Sequence, residues 1–325
     1  MAKKAPAMTP RERFRAALER KPLTGRVPTF ELVFFLTMEV FGKVHPNHRN
    51  YGQWDQMEER ERELHRRDIA GLYVDIAERF DWSAIYMVSF GGSTAEVLRI
   101  VDLIRERTGD RYFILVPGDP TTGIPSGKNM ENFCAMLADE PQRIKDAQAQ
   151  KLARCMEAAE AYRKHGGIDG FAMCSDYCLN HGPFLSPAQF GEFVAPVLAE
   201  ACAAYRSMGF YSIKHTDGNI MPILDQLVQA RPDALHSIDP QAGVDIAEVK
   251  RLHGNRVCLV GNVNCGLMDT GTDAEVAASA RYALKHGMPG GGYIFSTSNC
   301  VYTGMRLARY ELIQEIWKKE GNYPG

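Results

Sequence analysis

The chain has 325 residues, 45% of them hydrophobic, and a formal net charge of -2. That supplies apolar material for one large core or two modest ones, and a near-neutral balance without a basic block argues against nucleic acid as the main partner. The opening Met-Ala-Lys-Lys-Ala-Pro has no apolar h-region, and no apolar run reaches the roughly 18 residues of a membrane helix, so neither a signal peptide nor a membrane span is predicted. Eight cysteines are scattered without a CxxC pair; in such a chain they read as reduced thiols of a cytoplasmic protein, most of them small core residues.

Residues 1–8 are expected to be disordered. A helix follows over 10–20, opened by the capping box Thr9-Pro10-Arg11-Glu12, in which hydroxyl and carboxylate satisfy otherwise orphaned helix N–H groups. From there short β-branched or aromatic runs alternate with long amphipathic segments. Strands are predicted at Val27–Glu31, Ser83–Val88, Tyr112–Val116, Gly170–Cys174, Tyr211–His215, Ala234–Ile238, Arg256–Val260 and Gly292–Ser296, mostly as buried parallel strands. Helices are predicted at 56–80, 95–107, 142–165, 187–208, 219–230, 245–253, 272–286 and 303–319. Two of these start with capping boxes, Ser186-Pro187-Ala188-Gln189 and Thr272-Asp273-Ala274-Glu275. The stretch Gly42–Asp55 reads as a loop too polar for the core and long enough to cover the mouth of a barrel.

Eight strands, each feeding a helix, favour one (β/α)8 barrel domain over residues 1–325 with an N-terminal helical extension. A doubly wound open sheet is the alternative. It needs a Gly-rich phosphate turn after an early strand, where this chain has Leu32-Val33-Phe34-Phe35.

In a barrel the residues just past each strand are the site candidates. Strand one ends at Glu31, strand three at Asp119, strand four at Asp176 and Tyr177, strand five at His215 and Asp217, strand six at Asp239, strand seven at Asn262 and Asn264, and strand eight at Ser296, Ser298, Asn299 and Cys300. His215 and Asp217, two apart in an extended segment, point to one side. An imidazole and a carboxylate there can hold a metal, move a proton or brace a substrate. Asp217-Gly218 reads as well as a helix N-cap followed by a turn. Asp176 can equally bond loop backbone, and Asp239-Pro240 leans towards a structural turn. Cys174 and Cys178 read as packing. Cys300 alone would too, although a thiolate there can face His215 across the mouth. Gly290-Gly291-Gly292 precedes a strand rather than opening a helix, so it reads as a plain turn.

These residues resemble the uroporphyrinogen decarboxylase superfamily over nearly the whole chain. The likeness rests on Met8-Thr9-Pro10-Arg11-Glu12-Arg13 with Arg26-Val27-Pro28, on Ser186-Pro187 with Phe193-Val194-Ala195-Pro196, on His215–Gly218, on Gly261-Asn262-Val263 and on Gly291-Gly292-Tyr293-Ile294. It implies a (β/α)8 barrel. True uroporphyrinogen decarboxylases carry an Arg-Gln-Ala-Gly-Arg signature after the first strand, which neutralises the substrate carboxylates. This chain has Phe30-Glu31-Leu32-Val33-Phe34-Phe35-Leu36 there, with no arginine. Burying several carboxylates without paired cations costs several kcal/mol each, which turns the reading away from porphyrinogen decarboxylation.

The other branch is the corrinoid-dependent methyltransferases. Its thiol-methylating members bind zinc through His-x-Cys at the fifth strand end and a cysteine near the last strand. Carried over by position, this implies a metal held by His215, Asp217 and Cys300, with carboxylate in place of the middle thiolate. That swap makes the site harder and more Lewis acidic, and the His-x-Asp-Gly form looks more like the methyltransferase component of O-demethylases. The resemblance implies a methyltransferase moving a methyl group from a methoxylated, aromatic small molecule to the Co(I) corrinoid of a separate partner protein. His215, Asp217 and Asp176 would be catalytic, with zinc polarising the ether oxygen or, without metal, protonated His215 as general acid. Glu31, Tyr177, Asn262 and Asn299 would position the substrate, and Phe34, Phe35 and Tyr86 would contact its ring unless they pack in the core. A homodimer is expected by the same likeness. The alternatives are a decarboxylase, for which Arg99 or Arg306 would have to supply the missing cations, a methylcobamide:thiol methyltransferase, or a non-catalytic binding protein.

Overall fold

Most of the short β-branched and aromatic runs here lack polar alternation, and even Tyr211–His215, which alternates, is buried at four of its five positions, so the strands need cover on both faces, and a barrel ringed by helices provides it. The computed structural model describes residues 8–88 and 93–323, and the expected disordered segment lies, apart from Met8, outside them. Seven parallel strands follow in chain order: β1 (Ala84–Tyr86), β2 (Phe113–Pro117), β3 (Gly170–Cys174), β4 (Tyr211–His215), β5 (Ala234–His236), β6 (Cys258–Val263) and β7 (Tyr293–Thr297). Each pairs with its sequence neighbour, which is the circular order of a barrel rather than the reversed order of a doubly wound sheet.

The eighth stave is residues 28–29. Phe295 N–H donates to the Pro28 carbonyl at 2.9 Å and Ser83 N–H to the Thr29 carbonyl at 2.7 Å, joining β7 to β1. Thr29 Oγ1 adds a bond to the Phe295 carbonyl at 2.8 Å. The expected strand Val27–Glu31 is therefore reduced to a single parallel bridge, Thr29 with Phe295. Two causes are visible. Pro28 has no N–H to give, and the backbone of Val27 is taken by the C-terminal segment, donating to Gly321 O and accepting from Trp317 Nε1.

Helix Pro10–Leu18 carries its expected capping box and packs across the N-terminal end of the barrel. Its fully buried Phe14 meets Phe30 and Phe113 at 5.2 and 4.9 Å between ring centres, a burial worth about 2 kcal/mol. The predicted helix 187–208 is two helices, Pro187–Phe193 and Ala195–Ser207, because Pro196 cannot donate into the preceding turn. Segment 219–230 splits likewise into a 3-10 turn, Met221–Ile223, and the helix Leu224–Gln229. An unforeseen helix, Met130–Asp139, precedes Pro141–His165. The loop Gly42–Asp55 is not uniformly solvated, since His45 is buried against Phe35, His48 and Tyr73. Lys43 and Arg49 tie it to Asp68 of helix Glu59–Arg79.

Candidate functional site

Strand β4 delivers His215 to the C-terminal end of the barrel, and the chain then turns sharply. Gly218 sits at φ 81°, and a Cβ there would lie 2.5 Å from the Cys178 carbonyl oxygen, so only glycine passes. Its N–H donates to Asp239 Oδ2 at 3.1 Å. Asp217 does not cap the following turn; Asn219 does, accepting from Met221 N–H. The Asp217 carboxylate instead accepts from Ser237 Oγ at 2.8 Å and from Asn299 Nδ2. Asp176, from the loop after β3, accepts from the Asp217 N–H at 3.0 Å.

Three donor groups thus converge. His215 Nε2 stands 3.7 Å from Asp176 Oδ1 and 3.8 Å from Asp217 Oδ2, and ligand atoms of all three residues lie within 4.8 Å of one another. Burial, followed by the charge of Asp176, pushes the Asp217 carboxyl up to about 7. Burial and then neighbouring Lys214 push His215 down to about 3. A neutral imidazole between two carboxyl groups, at distances too long for hydrogen bonds, leaves nitrogen and oxygen donor atoms facing one another with no bond between them. Such a set fits a divalent cation.

Behind His215 lies a residue the sequence did not single out. His236 is its register partner on β5, and the two Nδ1 atoms are 2.7 Å apart. One nitrogen must donate and the other accept, so the contact ties the two tautomers together. His236 Nε2 lies 3.5 Å from Ser296 Oγ, which donates to Glu31 Oε2 at 3.0 Å. Glu31 also accepts from Thr297 N–H and Oγ1, and burial raises its carboxyl to about 7. The signal for His236 was present in the text of the chain. His215-Thr216-Asp217 and His236-Ser237-Ile238-Asp239 both place a histidine shortly before an aspartate at a strand end. The backbone holds Ser237 and Ile238 at φ 89° and 49°, which turns Ser237 towards Asp217.

The remaining expected residues divide. Asn299 reaches the cluster through Asp217. Asn262 donates to the Ile238 carbonyl at 2.9 Å, one strand away. Tyr86 is buried, its hydroxyl 3.7 Å from Cys174 Sγ. Tyr177 is buried, its hydroxyl 2.5 Å from Thr121 Oγ1. Phe34 is buried among Phe80, Trp82 and Tyr310, and the half-buried Phe35 stacks one face on His48. Cys300 is half-buried, and burial followed by the charge of Cys265 raises its thiol. Its sulfur stands outside the cluster of three, where Asp176 takes the third place instead; the side chain that bridges from this loop to Asp217 is that of Asn299. Asp239 caps the turn after it, accepting from Gln241 N–H at 2.9 Å.

The family profile for uroporphyrinogen decarboxylase (URO-D) matches residues 91–319. The chain belongs to this family. Among curated proteins, no sequence match is found. Among solved structures, a methyltransferase from Methanosarcina mazei is similar, with a TM-score of 0.70 at 18% identity, over 96% of this chain and 99% of that one. At that identity the likeness establishes the fold. A GH5_18 structure from Bifidobacterium longum subsp. infantis aligns at a TM-score of 0.49 and 10% identity, over 93% of this chain and 81% of that one. A D-psicose 3-epimerase from Clostridium cellulolyticum H10 aligns at 0.44 and 8%, over 88% and 95%. Neither of the last two bears on the site.

Within the URO-D family a substrate rich in carboxylates calls for cations at the mouth. The two arginines that would have to provide them are engaged elsewhere. Arg99 pairs with Glu63 at 2.6 Å and Glu106 at 3.2 Å, and Arg306 with Asp273 at 3.7 Å. Lys214, next to His215, is held by Asp119 at 2.7 Å.

Proposed function

We propose that this URO-D family protein is a methyltransferase that takes a methyl group from a methoxylated, aromatic small molecule and passes it to the Co(I) corrinoid of a partner protein. The observation that carries the reading is the charge of the mouth. Two carboxylates and a neutral imidazole converge there, while Arg99, Arg306 and Lys214 are all spent on other acids. Such a site disfavours a polycarboxylate substrate and suits an ether, which carries no charge. The similar fold of a methyltransferase over nearly the whole chain supports the same branch.

Cleaving an aryl methyl ether needs a strong nucleophile in line behind the methyl carbon and stabilisation of the departing phenolate. The partner's cobalt is the nucleophile. Asp176, His215 and Asp217 would hold a zinc ion, which when bound supplies Lewis-acid polarisation of the ether oxygen. The chain's own residues do the rest. His236 fixes the tautomer of His215 through the Nδ1 contact, leaving the Nε2 lone pair towards the mouth when Nδ1 carries the proton. Asn299 and Ser237 hold Asp217 in place. His215 is neutral at physiological pH, so it is not the proton donor for the leaving oxygen; in a metal-free site Asp217, with its carboxyl near 7, is the group that carries a proton. Glu31 lies one hydroxyl behind His236 and acts through it. Asn262, Tyr86 and Tyr177 would shape the walls of the substrate site. Eight free thiols and the lack of any described helix long and apolar enough to cross a membrane support a reducing, cytoplasmic setting.

The test is to mix the protein with a reduced corrinoid protein and a panel of methoxyarenes and follow methyl-cobalt formation by absorbance. Methyl transfer that disappears in His215→Ala supports the reading. No transfer across the panel, together with CO2 release from a porphyrinogen, refutes it.

A further inference from the structure

At the opposite end of the barrel from His215 lies a cavity of about 370 Å³, lined chiefly by Arg20, Arg206, Arg231, Arg256 and Asp233. All five come from segments that lead into strands or close helices at the N-terminal end. Arg20 follows helix Pro10–Leu18, Arg206 sits in the last turn of Ala195–Ser207, and Arg231 follows Leu224–Gln229. Asp233 and Arg256 just precede β5 and β6.

Four guanidinium groups thus share one carboxylate, in a chain whose overall charge is -2. That carboxylate is already committed. Asp233 Oδ2 accepts from Ser212 N–H at 2.8 Å and Ser212 Oγ at 3.2 Å, and Oδ1 lies 3.8 Å from Arg206. Arg206 otherwise donates to the Arg231 carbonyl, and Arg20 to the Leu18 carbonyl at 3.2 Å. Carbonyls orient a guanidinium without neutralising it. Among the described residues Arg231 and Arg256 form no ion pair. The backbone adds a second sign. Arg20 and Arg231 end their helices at φ 55° and 61°, the left-handed position where glycine usually serves. Keeping a side chain there is strained, and both side chains line this one cavity.

We propose that this cavity binds a phosphoryl dianion, either free phosphate or the phosphate of a small phosphomonoester. The guanidinium fork matches phosphate oxygens in pairs, and a cavity with three uncompensated positive charges favours a multiply charged anion over chloride. The site is independent of the methyl-transfer reading, since it lies at the other end of the strands and shares no residue with it.

The experiment titrates the full chain with inorganic phosphate and, in a second arm, with adenosine monophosphate, at ionic strength matched with sodium chloride, by isothermal calorimetry. Saturable binding is expected that chloride does not reproduce and that weakens by about tenfold or more in Arg231→Gln/Arg256→Gln, through loss of two charge-assisted contacts. Tighter binding of the nucleotide identifies a phosphomonoester as the ligand; equal or weaker binding identifies free phosphate. Both arginines are exposed, so the double variant should melt with the wild type in the absence of phosphate. If it melts lower, Arg256→Gln alone serves the same comparison. Absence of saturable heat with both probes, or equal affinity in wild type and variant, overturns the proposal.

Discussion

Replacing Lys214 with methionine tests how the loops carrying the site are anchored. Lys214 is fully buried, and its Nζ donates to Asp119 Oδ2 at 2.7 Å and to the Ser175 carbonyl at 2.8 Å, while lying 4.1 Å from the centre of the Tyr177 ring. Methionine keeps the stem and deletes the charge. Asp119 would then remain buried as a lone carboxylate, and breaking such a pair from one side costs about 3–5 kcal/mol. Three donors remain to it, Thr121 N–H, Thr121 Oγ1 and Ser175 N–H, which places the expected loss at the lower bound, about 3 kcal/mol. At the entropy typical of a chain this long, that lowers Tm by roughly 4 °C. Urea unfolding of wild type, Lys214→Met, Asp119→Asn and the double variant gives the coupling directly. The double variant should recover part of the loss, because no charge is left stranded. A Lys214→Met midpoint within experimental error of wild type, or a double variant equal to the sum of the singles, would refute the argument that this ion pair holds the Asp176 loop.

Gly118→Ala should destabilise the protein by about 1–3 kcal/mol through overpacking, because the new Cβ would run into the Phe171 ring and sit 2.9 Å from Tyr205 Oη; a thermal melt reads it. Asn299→Ala frees Asp217 Oδ2 and should weaken zinc binding by about tenfold, as loss of a ligand's hydrogen-bond partner does, whereas Cys300→Ser should leave the affinity near wild type; competition with a chromophoric chelator compares them. His45, pushed down to about 3 chiefly by burial, ionises at its ordinary value once unfolded. Its native pKa is depressed, so its contribution is complete above pH 6.5 and falls as acid is added, by about 2 kcal/mol at pH 5. Urea midpoints at pH 7.5 and 5.0 should therefore diverge more for wild type than for His45→Asn, and equal divergence would contradict the buried, neutral assignment.

How far the sequence reveals this molecule depends on whether a feature is local. Gly170–Cys174 and Tyr211–His215 are bounded in the structure as their residue types predict, and all three capping boxes form, because a cap or a strand run is written within a few residues. The first stave failed as a regular strand because its backbone is claimed by Trp317 and Gly321, nearly 300 positions away, which no local pattern displays. Chemistry divides the same way. The pairing of His215 with Asp217 is legible from a spacing of two. The joining of Asp176, the contact of His236 with His215 and the occupation of Arg99 by Glu63 depend on register and helix packing. Aromatic residues were the least legible of all, since Phe34 next to a strand end reads alike whether it lines the mouth or, as here, packs among Phe80, Trp82 and Tyr310.

The surroundings of Asp217 are the argument for the proposed cation. Ser237 and Asn299 both donate to it, and such bonds favour the ionised form. Its carboxyl is nevertheless raised to about 7, because burial and the adjacent charge of Asp176 outweigh them. The site therefore spends two donors on a carboxylate that half refuses to ionise at neutral pH. Those donors would be wasted on a group meant only to stay protonated, and Asp176 would be misplaced beside a group meant only to stay charged. A divalent ion held by Asp176, Asp217 and His215 would resolve the conflict, offsetting the repulsion between the carboxylates and giving the neutral imidazole a partner for its lone pair.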